Sequence, residues 1–130
     1  MNRLPPETKT GTLGELLVQL RLLECDVQAA PPLKDSGNDL IAAKGRAIRA
    51  IQVKTTTDRR PRIDRGSLPD LYDILALVQL AEGSPRLRLD ACRIFLLSRA
   101  EVQERAFDLG ALEAAEMTEQ RVADLFANGA

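Results

Sequence analysis

Histidine is absent from this chain, and its absence removes Ser-His-Asp and Cys-His nucleophilic catalysis together with every His-ligated metal centre. Any hydrolytic chemistry must then rest on carboxylates, amides, lysine and a hard cation. Aromatic residues are scarce at 3%, with no tryptophan, which argues against proteins that read single strands by stacking bases on aromatic rings. The two cysteines, Cys25 and Cys92, are isolated in sequence, and they read as small buried hydrophobes rather than as metal ligands or a disulfide. No apolar run approaches the ~20 residues that span a bilayer. The opening MNRLPPETKTG lacks the apolar stretch of a signal peptide, so the expected location is the cytoplasm.

What is present fits a single globular domain over residues 1–130, with 45% apolar and 28% charged residues. The net charge of −1 hides an uneven distribution. Residues 34–65 carry nine basic against four acidic side chains, whereas residues 100–130 carry two against seven. A basic middle and an acidic tail suit a polyanion-facing surface with a solvated back, although ordinary surface charge accounts for the same counts. Arg59, Arg60, Arg62 and Arg65 crowd one proline-containing loop, and Lys34 and Lys44 lie upstream.

Residues 1–10 read as a loose leader, because Pro5-Pro6 breaks regular structure. A helix is predicted over 13–24, with Leu13, Leu16, Leu17, Leu20 and Leu23 at helical spacing and Thr12 as N-cap. A short strand over 25–30 ends at Pro31-Pro32, and 34–38 is turn chemistry. Strands over 40–43 and 47–55 are joined at Lys44-Gly45, and a polar connection covers 56–70. Residues 71–80 fit two patterns. Ser67-x-x-Asp70 resembles a helix capping box, while ILALV suits a buried strand, and strand is the reading taken for 74–80. A turn at 82–85, a strand over 92–98 and helices over 99–107 and 111–127 complete the chain, the last stopped by Asn128-Gly129.

Strand alternation puts Ile48, Ala50, Gln52 and Lys54 on one face. A two-residue loop at Lys44-Gly45 pairs Ala43 with Arg46 and Asp39 with Ala50, one diagonal step from Gln52 on the same face. A three-residue loop would turn Asp39 to the other face.

This order of helix with an early glutamate, strand, Gly-x-Asp strand and Gln-x-Lys strand resembles the PD-(D/E)XK nuclease superfamily. The matching residues are Gly14-Glu15, Gly37-Asn38-Asp39-Leu40-Ile41 and Ile51-Gln52-Val53-Lys54. The resemblance covers about residues 11–98 and is nearest to small single-domain members of the resolvase-like and intron-homing kind. It implies an α/β, restriction-endonuclease-like fold, with a central mixed β-sheet of about five strands flanked by helices. It also implies a Mg²⁺- or Mn²⁺-dependent DNA endonuclease, acting on branched or otherwise structured DNA and working as a homodimer or higher homo-oligomer. Asp39 would be the principal metal ligand, with Gln52 and the Val53 carbonyl as further oxygens. Lys54 would orient the attacking water, and Glu15 would hold a metal-bound water. Lys34, Lys44, Arg59, Arg60, Arg62 and Arg65 would contact DNA. The chain departs from the superfamily pattern in two places, with Gln52 where a second acid is usual and Asn38 where the name-giving proline would stand. A neutral amide coordinates a hard cation with less charge, which leaves metal affinity or activity in question.

Each assignment has a plainer counterpart. Glu15 could close a capping box with Thr12, Asp39 could form an Asx turn, Gln52 and Lys54 could be a solvated strand face, and the arginines an ordinary loop. The functional alternatives are a nuclease-like module that binds DNA or protein without catalysis, and a scaffold with no nucleic-acid role. The apolar positions of the tail helix, Ala111, Leu112, Ala115, Val122 and Leu125, could serve either the core or a dimer interface.

Overall fold

The structure, a computed structural model, describes residues 3–34, 37–82, 86–104 and 109–127. Helix α1 (Pro6–Glu24) leads into β1 (Gln28–Ala30), β2 (Leu40–Lys44), β3 (Ala47–Thr56), β4 (Ile74–Gln79) and β5 (Arg93–Ser98), followed by α2 (Arg99–Glu104), α3 (Leu109–Ala114) and α4 (Glu119–Leu125). The strands form one sheet in the order β1-β2-β3-β4-β5. β4 runs parallel to β3 and every other pairing is antiparallel, so the expected five-stranded mixed sheet flanked by helices is what the chain forms. Among the described residues no helix is long and apolar enough to cross a membrane. The expected stop at Asn128-Gly129, the end of the 99–107 helix and parts of the turns at 34–38 and 82–85 lie outside the described residues.

The helix begins earlier than the sequence reading. Pro5 is extended, with ψ 141°, and Pro6 takes the first helical position, where its fixed φ is favourable and its missing N–H costs nothing. The diproline thus starts a helix rather than ending a leader, and Thr12 lies inside it rather than capping it. At the other end Asp26 adopts φ 63°, its N–H donates to Leu23 O, and Val27 N–H donates to Leu22 O. This is a Schellman closure with Leu22 and Val27 both buried, and it converts residues 25–27 from expected strand into helix terminus. The buried face of α1 is Gly14, Leu17, Val18 and Leu22, whereas Leu16, Leu20 and Leu23 are exposed.

β2 and β3 form a hairpin on a two-residue turn, Gly45-Arg46, with Gly45 at φ 60°. The pairing is Lys44 with Ala47 and Leu40 with Ile51, two residues away from the register read from sequence. A slip of two preserves the face of every side chain. β4, between β3 and β5, is buried on both faces from Ile74 to Val78. On one face α1 and α4 pack Leu17, Val18, Leu22, Val122 and Phe126 against Ile51, Val53, Ile74, Ala76, Ile94 and Leu96. On the other, Tyr72, Val102, Leu112 and Ala115 cover Leu75, Leu77, Phe95 and Leu97.

The tail is two helices, not the single helix expected over 111–127. Residues 115–117 run along the edge of β5, where Leu96 N–H donates to Ala115 O and Met117 N–H to Ile94 O, both at 2.9 Å. Covering that edge interrupts the helix, and Thr118 restarts it as an N-cap accepting from Arg121 N–H at 3.0 Å. Leu112, Ala115 and Val122 are core residues of this chain, which removes them from a dimer interface; the side chain of Ala111 lies outside the described residues.

Candidate functional site

β3 outruns its neighbour. β2 begins at Leu40, opposite Ile51, so the segment from Gln52 to Thr56 has no strand on its β2 side. The edge left open borders a cleft of about 630 Å³, walled by the first half of α1 with Glu7, Thr10 and Glu15, and by Asp39, Gln52, Val53, Lys54 and Thr55.

Asp39 stands just ahead of β2 and is tied to β3 on both sides of Gln52. Its N–H donates to Ile51 O at 3.1 Å and its Oδ2 accepts from Val53 N–H at 2.8 Å. The carboxylate therefore reaches across to the neighbouring strand rather than closing a turn of its own. Next to it, Asn38 Nδ2 donates to Leu71 O at 3.0 Å, fixing the approach to β2.

Gln52 is 8% exposed, and among the described residues it is the one polar side chain in the buried set. Its Oε1 is buried without a hydrogen-bond partner. A buried amide oxygen left unpaired costs on the order of 1–3 kcal/mol, so it calls for an unseen partner. Set beside the Asp39 carboxylate in a cleft, it matches an oxygen donor for a hard cation. Lys54 Nζ lines the same cleft and donates to Ser67 O at 3.2 Å.

Glu15 reaches this group because Gly14 lets α1 approach the sheet. A Cβ at position 14 would collide with Oγ1, Cβ and Cγ2 of Thr55, so only glycine permits the contact. Burial pushes the Glu15 carboxyl above its ordinary pKa, and the nearby Asp39 charge adds to the rise. Glu15 and Asp39 thus face one another's charge in a cleft whose described lining includes no arginine. Among the described residues no group of three or more His, Cys, Asp or Glu is placed to hold a metal.

The basic residues divide. Lys44 is at the far end of the hairpin, where its Nζ donates to Cys25 O at 2.8 Å, and it does not join the cleft. Lys34 is exposed on the β1–β2 connection, which opens at the Asp39 end of the sheet. Arg59, Arg60, Arg62 and Arg65 are exposed on the connection from β3 to β4. That connection is pinned: Gln79 Nε2 donates to Asp58 O and Arg59 O at 2.9 and 3.1 Å, Pro61 is buried, and Ile63 and Leu68 pack against the second core face.

No protein-family model matches the chain, and no curated protein matches it in sequence. Among solved structures it is similar to a bacterial homing endonuclease, I-Ssp6803I, with a TM-score of 0.56 and 11% identity over 86% of this chain and 89% of that one. The likeness is one of fold. The mixed sheet and its flanking helices match those of that nuclease in arrangement, and the 11% identity carries no more than that.

Two features of the cleft were not singled out from sequence. Thr55, Thr56 and Thr57 continue its wall beyond Lys54, with Thr10 opposite on α1. The threonine run was visible, but only the overhang of β3 past β2 makes it a lining.

Proposed function

We propose that the chain is a DNA endonuclease that uses Mg²⁺ or Mn²⁺ at the open edge of β3. The observation that carries this reading is the buried, unpartnered Gln52 Oε1 beside Asp39. Asp39, Gln52, the Val53 carbonyl and Glu15 would hold the cation, with Asp39 as principal ligand. When bound, it would polarise a phosphoryl oxygen and acidify a water.

The chain's own groups would do the rest. Lys54 has three N–H donors, of which one is committed to Ser67 O. The other two are free to orient the attacking water and to stabilise charge building on the phosphorus oxygens. Water oxygen bonds to phosphorus as the bond to the leaving 3′ oxygen breaks. That oxygen takes up a proton, and a 5′-phosphate end results. Glu15, on the α1 wall of the same cleft, would take the proton that the water gives up. The acids Glu7, Asp58 and Glu82 also border the cleft, so a phosphate would enter only after a cation had offset them. Arg59, Arg60, Arg62, Arg65 and Lys34 would hold the flanking backbone. Cutting both strands calls for two such clefts, hence a homodimer, which mass measurement in solution would check.

The direct experiment incubates the chain with supercoiled plasmid and with branched DNA, with and without Mg²⁺ or Mn²⁺. Cleavage is expected only with the cation, and Asp39→Asn or Lys54→Ala should slow it by about 100-fold or more. Cleavage that persists unchanged in both variants would overturn the reading. The neutral amide of Gln52, standing where the resemblance expects a second acid, supports a second reading, a nuclease-like DNA-binding module without catalysis. DNA binding indifferent to cation and to Asp39, with no cleavage, would favour it.

A further inference from the structure

A second polar pocket, of about 250 Å³, lies away from the cleft between the segment 65–72 and α2. Its walls include Arg65, Asp70, Tyr72, Arg99 and Gln103. Arg99 opens α2, and its backbone N–H donates to Asp73 O at 3.1 Å, which fixes where its side chain starts. The guanidinium carbon sits 5.8 Å from the centre of the Tyr72 ring. Arg99 Nε is buried and meets no hydrogen-bond acceptor among the described residues. The side chain as a whole is half-buried, so one N–H of its fork is kept from water without an acceptor, and an acceptor arriving in the pocket would satisfy it. Two other partly covered arginines have partners: Arg121 bonds Leu96 O and Glu101, and Arg93 bonds Glu116.

We propose that this pocket is a subsite for one backbone phosphate of DNA, with Arg99 as its principal ligand and Tyr72 and Arg65 beside it. The choice of DNA as the source of the phosphate rests on the endonuclease reading. A guanidinium fork matches two phosphate oxygens at once, and stacking on Tyr72 holds its plane. Burial pushes the Tyr72 phenol up, against the opposing pull of Arg99 and Arg65, so its O–H remains a donor at neutral pH. Among the described residues Asp70 is the one acid on the wall, and it is exposed. The segment also joins the two sites, since Ser67, whose carbonyl accepts from Lys54, is two residues from Arg65. A strand seated with one phosphate in the cleft would run along this segment toward Arg99.

The test uses a short DNA duplex with Ca²⁺ in place of Mg²⁺ and over times at which the duplex stays intact, so that the acids of the cleft are offset and binding is read apart from cleavage. Arg99→Gln should weaken duplex binding about tenfold and lower the salt slope of log K by about 0.9, the signature of one lost phosphate contact. Arg99→Lys should recover part of the affinity and all of the slope. In wild-type protein the Arg99 Nε–H resonance should shift on adding duplex, a readout that needs no variant to fold. An unmoved resonance, or a shift with inorganic phosphate but none with duplex, would overturn the proposal. So would unchanged duplex affinity in a folded Arg99→Gln. Cleavage that depends on Asp39 with binding indifferent to Arg99 sinks the subsite and spares the endonuclease. Binding that depends on Arg99 with no Asp39-dependent cleavage sustains the subsite and sinks the endonuclease.

Discussion

Carboxylates at the two sides of this sheet live under opposite electrostatics. Along β5, Glu116 accepts a two-pronged hydrogen bond from Arg93, at 3.0 and 2.7 Å, and Glu101 accepts from Arg121 and from Ser98 N–H. The bond from Arg93 draws the Glu116 carboxyl below the ordinary range, against the opposing effect of burial. For Glu101 burial pushes upward, but the Ser98 and Arg121 bonds outweigh it and the carboxyl ends lower than usual. Along the free edge of β3, Glu15 is driven the other way, by burial and by Asp39. The first pattern is a brace, in which each charge has its counter-charge within the chain. The second leaves repulsion and an orphaned amide oxygen in place, and a cation from outside would relieve both. A shift by itself therefore does not distinguish the two edges; its sign and the presence or absence of an internal partner do.

Removing the brace should have the largest effect on stability. Arg121 donates to Leu96 O through two nitrogens and to Glu101, joining α4, β5 and α2, with both side chains of the pair mostly out of water. Arg121→Ala should cost about 2–3 kcal/mol in urea denaturation, since it strands a partly buried carboxylate and a strand carbonyl. The pH dependence should change with it. A depressed pKa in the folded state gives stability that is present above the unfolded value and lost as pH falls through the folded one. Wild-type protein should lose this contribution in the acid limb, below about 4.3, and the variant should have a flatter limb. An unchanged acid limb in the variant would break the distinction between brace and site.

The approach of α1 to β3 comes next. Gly14→Ala puts a methyl group into Thr55 and should cost about 2 kcal/mol, the usual scale for overpacking. Thr55→Ala alongside should restore part of it. Because Glu15 is the next residue, Gly14→Ala should also lower divalent-cation affinity, measured by calorimetry, beyond what the stability loss explains. Equal cation affinity in the two proteins would separate the helix from the cleft.

How much of this was readable from sequence depended on whether the governing contacts were local. Strands β2 to β5 were legible because apolar runs with turn chemistry between them leave few other choices. The convergence of Asp39 and Gln52 was legible for a narrower reason, since the hairpin slipped by two residues and kept its faces. The rotation of α1 was not, because the residue that turns toward the sheet is Gly14, which carries no hydrophobic signal, and leucines 16, 20 and 23 point to solvent instead. The break in the tail was hidden for the same kind of reason: it is imposed by the edge of β5, distant in sequence. Lys44 was grouped with the cleft by charge count, and only the folded position of Cys25 assigns it to the helix terminus. Arg99 carried no motif at all; its pocket exists because α2 folds back beside Tyr72.

The smallest effect, and the most discriminating, should come from Glu15→Gln. A carboxyl whose folded pKa is raised contributes stability that is fully present below the unfolded value and lost as pH rises through the folded one. Neutralising Glu15 should therefore raise the Tm of cation-free protein at neutral pH, and the gain should vanish in acid, where the wild-type carboxyl is already protonated. Saturating Mg²⁺ or Mn²⁺ should reverse the order, because a ligand that binds the folded state stabilises it in proportion to its affinity, and the variant has lost an oxyanion from the cleft. The two Tm curves, with and without cation, should thus cross between wild type and variant. If Glu15→Gln destabilises the cation-free protein, Glu15 belongs with Glu101 and Glu116 as a structural carboxylate. The contrast between the two edges would then fail at its most specific point.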